Sequence, residues 1–202
     1  ASLAICNVQS NADKLTVPEL LSKTPRDSVL LRGMKSSQTP MTYGDMIDFI
    51  KGGDGDLRKI SASAESVVAY NVPPGPVGAC AFLAIASQCT AVPLDPGITE
   101  EDAYDALTSC GVTLLILFRA SNEEAIERAG QRAGIPIKWY VMDDDEKPAG
   151  SYIPESPQPI SKGSTALELP REAVGLLLRT SGTTSKPKVV PLIVEALHLN
   201  SL

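Results

Sequence analysis

Residues 176–191 read LLLRTSGTTSKPKVVP. The apolar run Leu176, Leu177 and Leu178 leads into small hydroxylated residues around one glycine: Thr180, Ser181, Gly182, Thr183, Thr184 and Ser185. A basic patch, Lys186-Pro187-Lys188, follows, and the β-branched pair Val189-Val190 leaves it. Small residues let backbone N–H groups come close to an anion, hydroxyls add donors, and lysines supply countercharge. The stretch therefore has the composition of a phosphate cradle, without the GxxxxGK[ST] order of the P-loop. A Ser/Thr-rich hairpin turn between two strands would use the same residues. Composition alone leaves both readings open.

Working outward, the chain alternates between β-branched or apolar runs and capped helical segments. Strands are expected at 67–72, 91–96, 112–118, 137–142 and 173–179, with a return strand near 190–194. Helices are expected at 77–88, at 100–110 behind the cap Thr99 with Glu100, Glu101 and Asp102, at 121–134, and from 195 onward. Gly111 and Gly134 read as helix stops. This rhythm predicts an α/β fold: a doubly wound, mostly parallel sheet with helices on both faces. The expected organisation is an opening segment, 1–65, followed by an α/β subdomain, 66–202, with 147–170 as a proline-rich connection.

In the opening segment, Thr16 and Glu19 have capping-box spacing, and 28–32 reads as a brief strand. Thr42 caps a helix that places Tyr43, Met46, Ile47 and Ile50 on one face. Lys51–Asp56, KGGDGD, breaks that helix. It lacks the full calcium-loop pattern and is expected to be a solvated loop. Two further stretches read as exposed, the acidic run Asp143–Glu146 and the connection after it.

Hydrophobic residues make up 43% and charged residues 21%, enough to bury a core. The net charge of −6 argues against nonspecific binding to nucleic acid or an anionic membrane, so an anion site must be local. Cys6, Cys80, Cys89 and Cys110 form no CxxC pair, and Cys80 and Cys110, in apolar surroundings, read as small buried hydrophobes in a reducing, intracellular compartment. With His198 as the sole histidine, a His-rich zinc site or a Ser-His-Asp triad has no support. No apolar run reaches the roughly 20 residues of a membrane-spanning helix. The start, ASLAIC, is too short and uncharged for a signal peptide, and Ala1 in place of methionine implies a processed or trimmed start.

LLRTSGTTSKPKVVPL resembles the phosphate-binding signature of the adenylate-forming (AMP-binding) enzymes, [YLH]TSGTTGxPKGV. These include acyl- and aryl-CoA synthetases, firefly-type luciferases and the adenylation domains of nonribosomal peptide synthetases. Thr180 to Thr184 and Pro187-Lys188 match in place. Ser185 stands where the family has a second glycine, a form similar to the oxalyl-CoA synthetase-like branch. Val189 stands where the family has the glycine after the lysine, and a β-branched residue disfavours positive φ. FLAIASQCTAVPLDP is similar to the family's FLAxxxAGAxxxPLxP, and the TY-led helix at Thr42 resembles its opening, so the likeness runs from about Thr42 to Pro191.

The resemblance implies that Thr180, Ser181, Gly182, Thr183, Thr184, Ser185 and Lys188 hold the β- and γ-phosphates of ATP with Mg2+. It implies a small carboxylic acid and CoA or a carrier thiol as the other substrates. The expected chemistry is attack of the carboxylate on the α-phosphate, giving acyl-adenylate and pyrophosphate. The family's adenine motif, magnesium glutamate, ribose aspartate and catalytic lysine find no match in these 202 residues. The chain is therefore expected to be the N-terminal portion of such a ligase, unable to form an adenylate alone, with the missing remainder or a larger assembly as partner. The alternative is a non-catalytic binding or scaffold subunit that keeps the fold; Ser185, Val189 and the altered 51–56 region lean toward it.

Overall fold

The computed structural model describes residues 16–71, 75–119, 123–142, 147–180 and 187–199. Local hydrogen bonds start the helices where the sequence says they should. The Thr16 hydroxyl accepts from the Glu19 N–H and the Glu19 carboxylate accepts from the Thr16 N–H, opening α1 (Val17–Leu21). Strands β1 (Val29–Leu31) and β2 (Met41–Thr42) pair antiparallel beside it. Thr42 and Asp45 form a second capping box at the head of α2 (Tyr43–Ile50), which buries Met46 and Ile50.

The main sheet has seven strands. They are β3 (Val67–Asn71), β4 (Thr90–Leu94), β5 (Leu114–Phe118), β6 (Ile137–Met142), β7 (Tyr152–Pro154), β8 (Val174–Arg179) and β9 (Val189–Ile193). Their order is β7-β6-β5-β3-β4-β8-β9, parallel from β6 to β8 and antiparallel at the two edges. Connecting helices are α3 (Pro76–Gln88), α4 (Glu100–Ser109) and α5 (Glu124–Arg132); α6 (Val194–Leu199) follows β9.

Side-chain alternation along each strand feeds two cores, one under each face. Val68, Tyr70, Leu114, Ile116 and Phe118 pack toward α1, α2 and α3, whereas Ala69, Leu115 and Leu117 pack toward α4 and α5. The sheet is thus doubly wound, as the alternating sequence requires. Two ion pairs, Arg128 to Glu100 at 2.8 Å and Arg132 to Glu101 at 2.7 Å, clamp α5 to α4.

Two stretches expected to be solvated are built into the fold. In KGGDGD, the Asp56 carboxylate is 1% exposed: it accepts from the Gly52 N–H, from the Arg58 N–H and from the Arg58 guanidinium. Asp54 takes Lys59 at 3.2 Å and Lys147 at 2.7 Å. These cations come from beyond the loop, so its acidity buys internal pairing instead of hydration. In the 147–170 stretch, Tyr152 lies in β7 and is 2% exposed, its ring 4.8 Å from Phe49 and 5.1 Å from Phe118. Leu169 is buried as well, while residues 155–159 are exposed as expected.

Smaller departures concern boundaries. Helix α5 begins at Glu124 behind Glu123, which makes no side-chain cap bond, and Ser121 lies outside the described residues. Cys6, the turn residues Pro73 and Pro74, and Asp143–Glu146 also lie outside them. Among the described residues, no helix is long and apolar enough to cross a membrane.

Candidate functional site

Thr180 and Lys188 stand at the facing ends of the antiparallel strands β8 and β9, Thr180 at the carboxyl end of a strand that is parallel to β4. Of the proposed phosphate-loop residues, Thr180 and Lys188 are described; Ser181, Gly182, Thr183, Thr184 and Ser185 lie outside the described residues. Thr180 and Lys188 face each other across the mouth of the loop. The Thr180 N–H donates to the Lys188 carbonyl at 3.0 Å, and the Lys188 N–H donates to the Thr180 hydroxyl oxygen at 3.2 Å. Both side chains are exposed, and among the described residues no carboxylate pairs with the Lys188 ammonium. The Thr180 hydroxyl accepts there and donates to the Lys188 carbonyl only at the long limit of 3.5 Å, a weak bond that an incoming oxyanion would displace. The hairpin-turn reading and the cradle reading are therefore compatible, because the loop is the tip of a hairpin.

Val189 resolves the doubt raised by its missing glycine. It lies in β9, and Ser61 is the sole non-glycine with positive φ among the described residues. Val189 packs against the α4/α5 core, where a β-branched side chain suits an extended backbone.

A cleft of about 460 Å³ opens directly beside the loop root. On one side it is walled by Pro93, Leu94, Ile98 and Asp102, and on the other by Leu178, Arg179, Thr180 and Pro187. Pro93 explains the opening. The Thr90 N–H points to β3, donating to the Ser66 carbonyl, so by alternation the N–H positions of residues 91 and 93 face β8. Proline supplies none there. The β4–β8 register accordingly holds the single pair Ala91↔Leu176, and the strands part beyond it. Nothing in the sequence pattern of 91–96 had indicated more than a strand end.

Arg179 crosses this cleft. Its Nη1 donates to the Asp102 carbonyl in α4 at 2.7 Å, while its Nε is buried with no partner among the described residues. Arg179 and Thr180 line the cleft, and the exposed Lys188 stands opposite Thr180 at the same strand end, in a chain whose overall charge is negative. That donor set fits a phosphate-bearing ligand. For a metal ion the protein offers less, since no group of three or more His, Cys, Asp or Glu stands together among the described residues.

The cysteines take no part. Cys80, Cys89 and Cys110 are buried and unbridged, and burial pushes the Cys80 and Cys89 thiols up to about 12.

The model of the AMP-binding enzyme family matches residues 21–201. No curated protein matches the chain. Among solved structures, it is similar to apo MatB from Rhodopseudomonas palustris, with a TM-score of 0.67 at 14% identity over 92% of this chain and 36% of that one. The luciferase-like enzyme of the nonluminescent mealworm Zophobas morio gives 0.65 at 17% identity, over 93% of this chain and 44% of that one. VinN, solved with 3-methylaspartate, gives 0.63 at 20% identity, over 89% of this chain and 48% of that one. The chain spans about a third to a half of the length of these structures. MatB has also been solved with ATP bound.

Proposed function

The chain belongs to the AMP-binding enzyme family, and on that premise we propose that it carries the ATP phosphate-holding loop of an acyl-adenylate-forming ligase of the acyl-CoA synthetase type. The carrying observation is the β8–β9 hairpin, which sets Thr180 and Lys188 across one loop mouth, both side chains exposed, at the carboxyl end of a parallel strand. Loops at that end of an α/β sheet are where such folds place their ligands.

In this reading Lys188 neutralises the β- and γ-phosphates, Thr180 donates its hydroxyl proton, and Ser181, Gly182, Thr183, Thr184 and Ser185 add amide and hydroxyl donors. Donors fixed by a hairpin stabilise charge growing on departing pyrophosphate without reorganising during the reaction. ATP supplies the activating group, its α-phosphate being the point of carboxylate attack. Mg2+ enters with the triphosphate. A small carboxylic acid and CoA or a carrier thiol complete the reaction in an intracellular, reducing compartment. The TTS form of the loop supports placement near the oxalyl-CoA synthetase-like branch. The rest of the adenylating machinery, in the same or another polypeptide, is the partner.

Acid-dependent ATP–pyrophosphate exchange by the natural polypeptide containing this sequence, over a panel of small carboxylic acids, tests the reading. Lys188→Ala should lower exchange by about tenfold or more. Triphosphate binding without exchange favours the scaffold alternative, which Val189 no longer supports. No triphosphate binding at all, or exchange indifferent to Lys188→Ala, overturns the phosphate-loop assignment.

A further inference from the structure

We propose that Arg179 is a positioning residue: it tethers the amino-terminal root of the phosphate loop to α4 across the cleft. The proposal rests on the phosphate-holding reading above for its functional consequence, but the tether itself rests on geometry.

Beyond the pair Ala91↔Leu176, β8 has left the parallel ladder. Its last residues, Leu177 to Arg179, pair only with β9, which is the sheet edge and hence no fixed wall. A two-stranded ribbon is marginal by itself in water, and past this point the body holds it through the packing of Leu177 and Val189. Arg179 supplies a bond from this free end back to the body of the molecule, Nη1 to the Asp102 carbonyl at 2.7 Å. Alternation puts Arg179 on the face of Leu177, which packs with Val189 on the α4/α5 core, so the side chain leaves the strand toward α4.

The anchor point is itself held fast. Asp102 sits in the first turn of α4, with its N–H donating to the Thr99 hydroxyl at 3.2 Å and its carboxylate accepting from that hydroxyl at 2.7 Å. Glu100 and Glu101 of the same turn are ion-paired to α5. Thr180 follows Arg179 directly, so the tether fixes where the loop's first donor stands. Without it, the end of the ribbon would rest on the packing of Leu177 and Val189, and each phosphate contact would bear more of the cost of ordering it.

Amide hydrogen exchange and titration with ATP and magnesium, on the natural polypeptide containing this sequence, test the tether. In Arg179→Ala, exchange at Thr180 and Val190 should quicken about tenfold, with β3 and β5 unchanged and nucleotide affinity down by about tenfold. Arg179→Lys, which keeps one charged donor able to reach the carbonyl, should recover most of both losses. Unchanged exchange at Thr180 in Arg179→Ala overturns the proposal. So does lost affinity with unchanged exchange, which would make Arg179 a direct phosphate contact. Quickened exchange in a polypeptide that binds no triphosphate upholds the tether and instead overturns the phosphate-holding reading.

Discussion

Lys188 and Thr180 are joined by three hydrogen bonds: Thr180 N–H to Lys188 carbonyl at 3.0 Å, Lys188 N–H to Thr180 hydroxyl oxygen at 3.2 Å and, at the long limit of 3.5 Å, Thr180 hydroxyl to Lys188 carbonyl. The two ends of the loop are therefore registered to each other before any ligand arrives. That registration removes part of the ordering cost a flexible loop would meet on closing around a phosphate. It also gives Thr180 two duties, since its oxygen accepts from the Lys188 N–H while its proton makes only a long, weak bond to the Lys188 carbonyl that a phosphate oxygen would displace.

The two duties separate by substitution. Thr180→Val keeps the shape and loses both hydrogen bonds of the hydroxyl, whereas Thr180→Ser keeps both. Titration with ATP and magnesium should show Thr180→Val weaker by about threefold to tenfold and Thr180→Ser close to the parent. Equal affinity in all three would mean that the hydroxyl contributes to neither.

What the sequence made legible was local. The caps Thr16, Thr42 and Thr99 bond within three residues of themselves, and strand alternation needs no distant partner. The hidden features depend on partners far along the chain. Asp54 is neutralised by Lys147, and the Arg58 guanidinium that pairs with Asp56 also reaches the Ser164 carbonyl at 2.7 Å. Tyr152 is buried by rings from α2, β5 and β6. No reading of 147–170 by itself could have found those rings. The cleft depended on which neighbour the missing Pro93 N–H faced, a fact of strand order. Legibility of the candidate site was accordingly partial: its hydroxyls and lysines were evident, but Arg179 bonds to a helix whose position required the sheet.

Gly150 tests how firmly the 147–154 segment is welded to the core. Its φ is +88°, and a Cβ there would stand 2.6 Å from Cys80 Sγ and 2.7 Å from the Pro76 carbonyl oxygen. Backbone strain and overlap with a backbone atom act together. Gly150→Ala should cost about 3 kcal/mol in urea unfolding. Gly163, with φ +83° but nothing within 4 Å, isolates the backbone contribution, and Gly163→Ala should cost about 1 kcal/mol.

The buried thiols make a second stability reading. Burial raises the Cys80 and Cys89 thiols to about 12, so at about pH 8 only roughly one thiol in ten thousand is thiolate. Iodoacetamide should leave both unlabelled in the folded protein and label both in urea. Their linkage has one sign. The folded values lie above the ordinary value, so their contribution is full below pH 9 and is lost as pH rises from there toward about 12. Prompt labelling of either cysteine under native conditions would show that α3 is not packed as described.

Asp56 governs the opposite limb. Burial by itself would raise its carboxyl, but hydrogen bonds from the Arg58 side chain, the Arg58 N–H and the Gly52 N–H together hold it below its ordinary value of 3.8. A carboxylate depressed by folding stabilises the native state above its unfolded pKa, and that contribution disappears as pH falls through the lower folded value. Asp54, lowered by Lys147 and Lys59 against its own burial, adds to the same limb. Urea unfolding from about pH 7 to about pH 3 should therefore show stability falling on the acid side. Asp56→Ala leaves the largely buried Arg58 guanidinium without its counterion and the Gly52 N–H without its acceptor. It should cost about 3 kcal/mol near neutral pH. The deficit should shrink toward acid, because the parent then loses what the variant never had. An acid limb as steep in Asp56→Ala as in the parent would show that other carboxylates control it, and that Asp56 is not the group that ties residues 51–58 together.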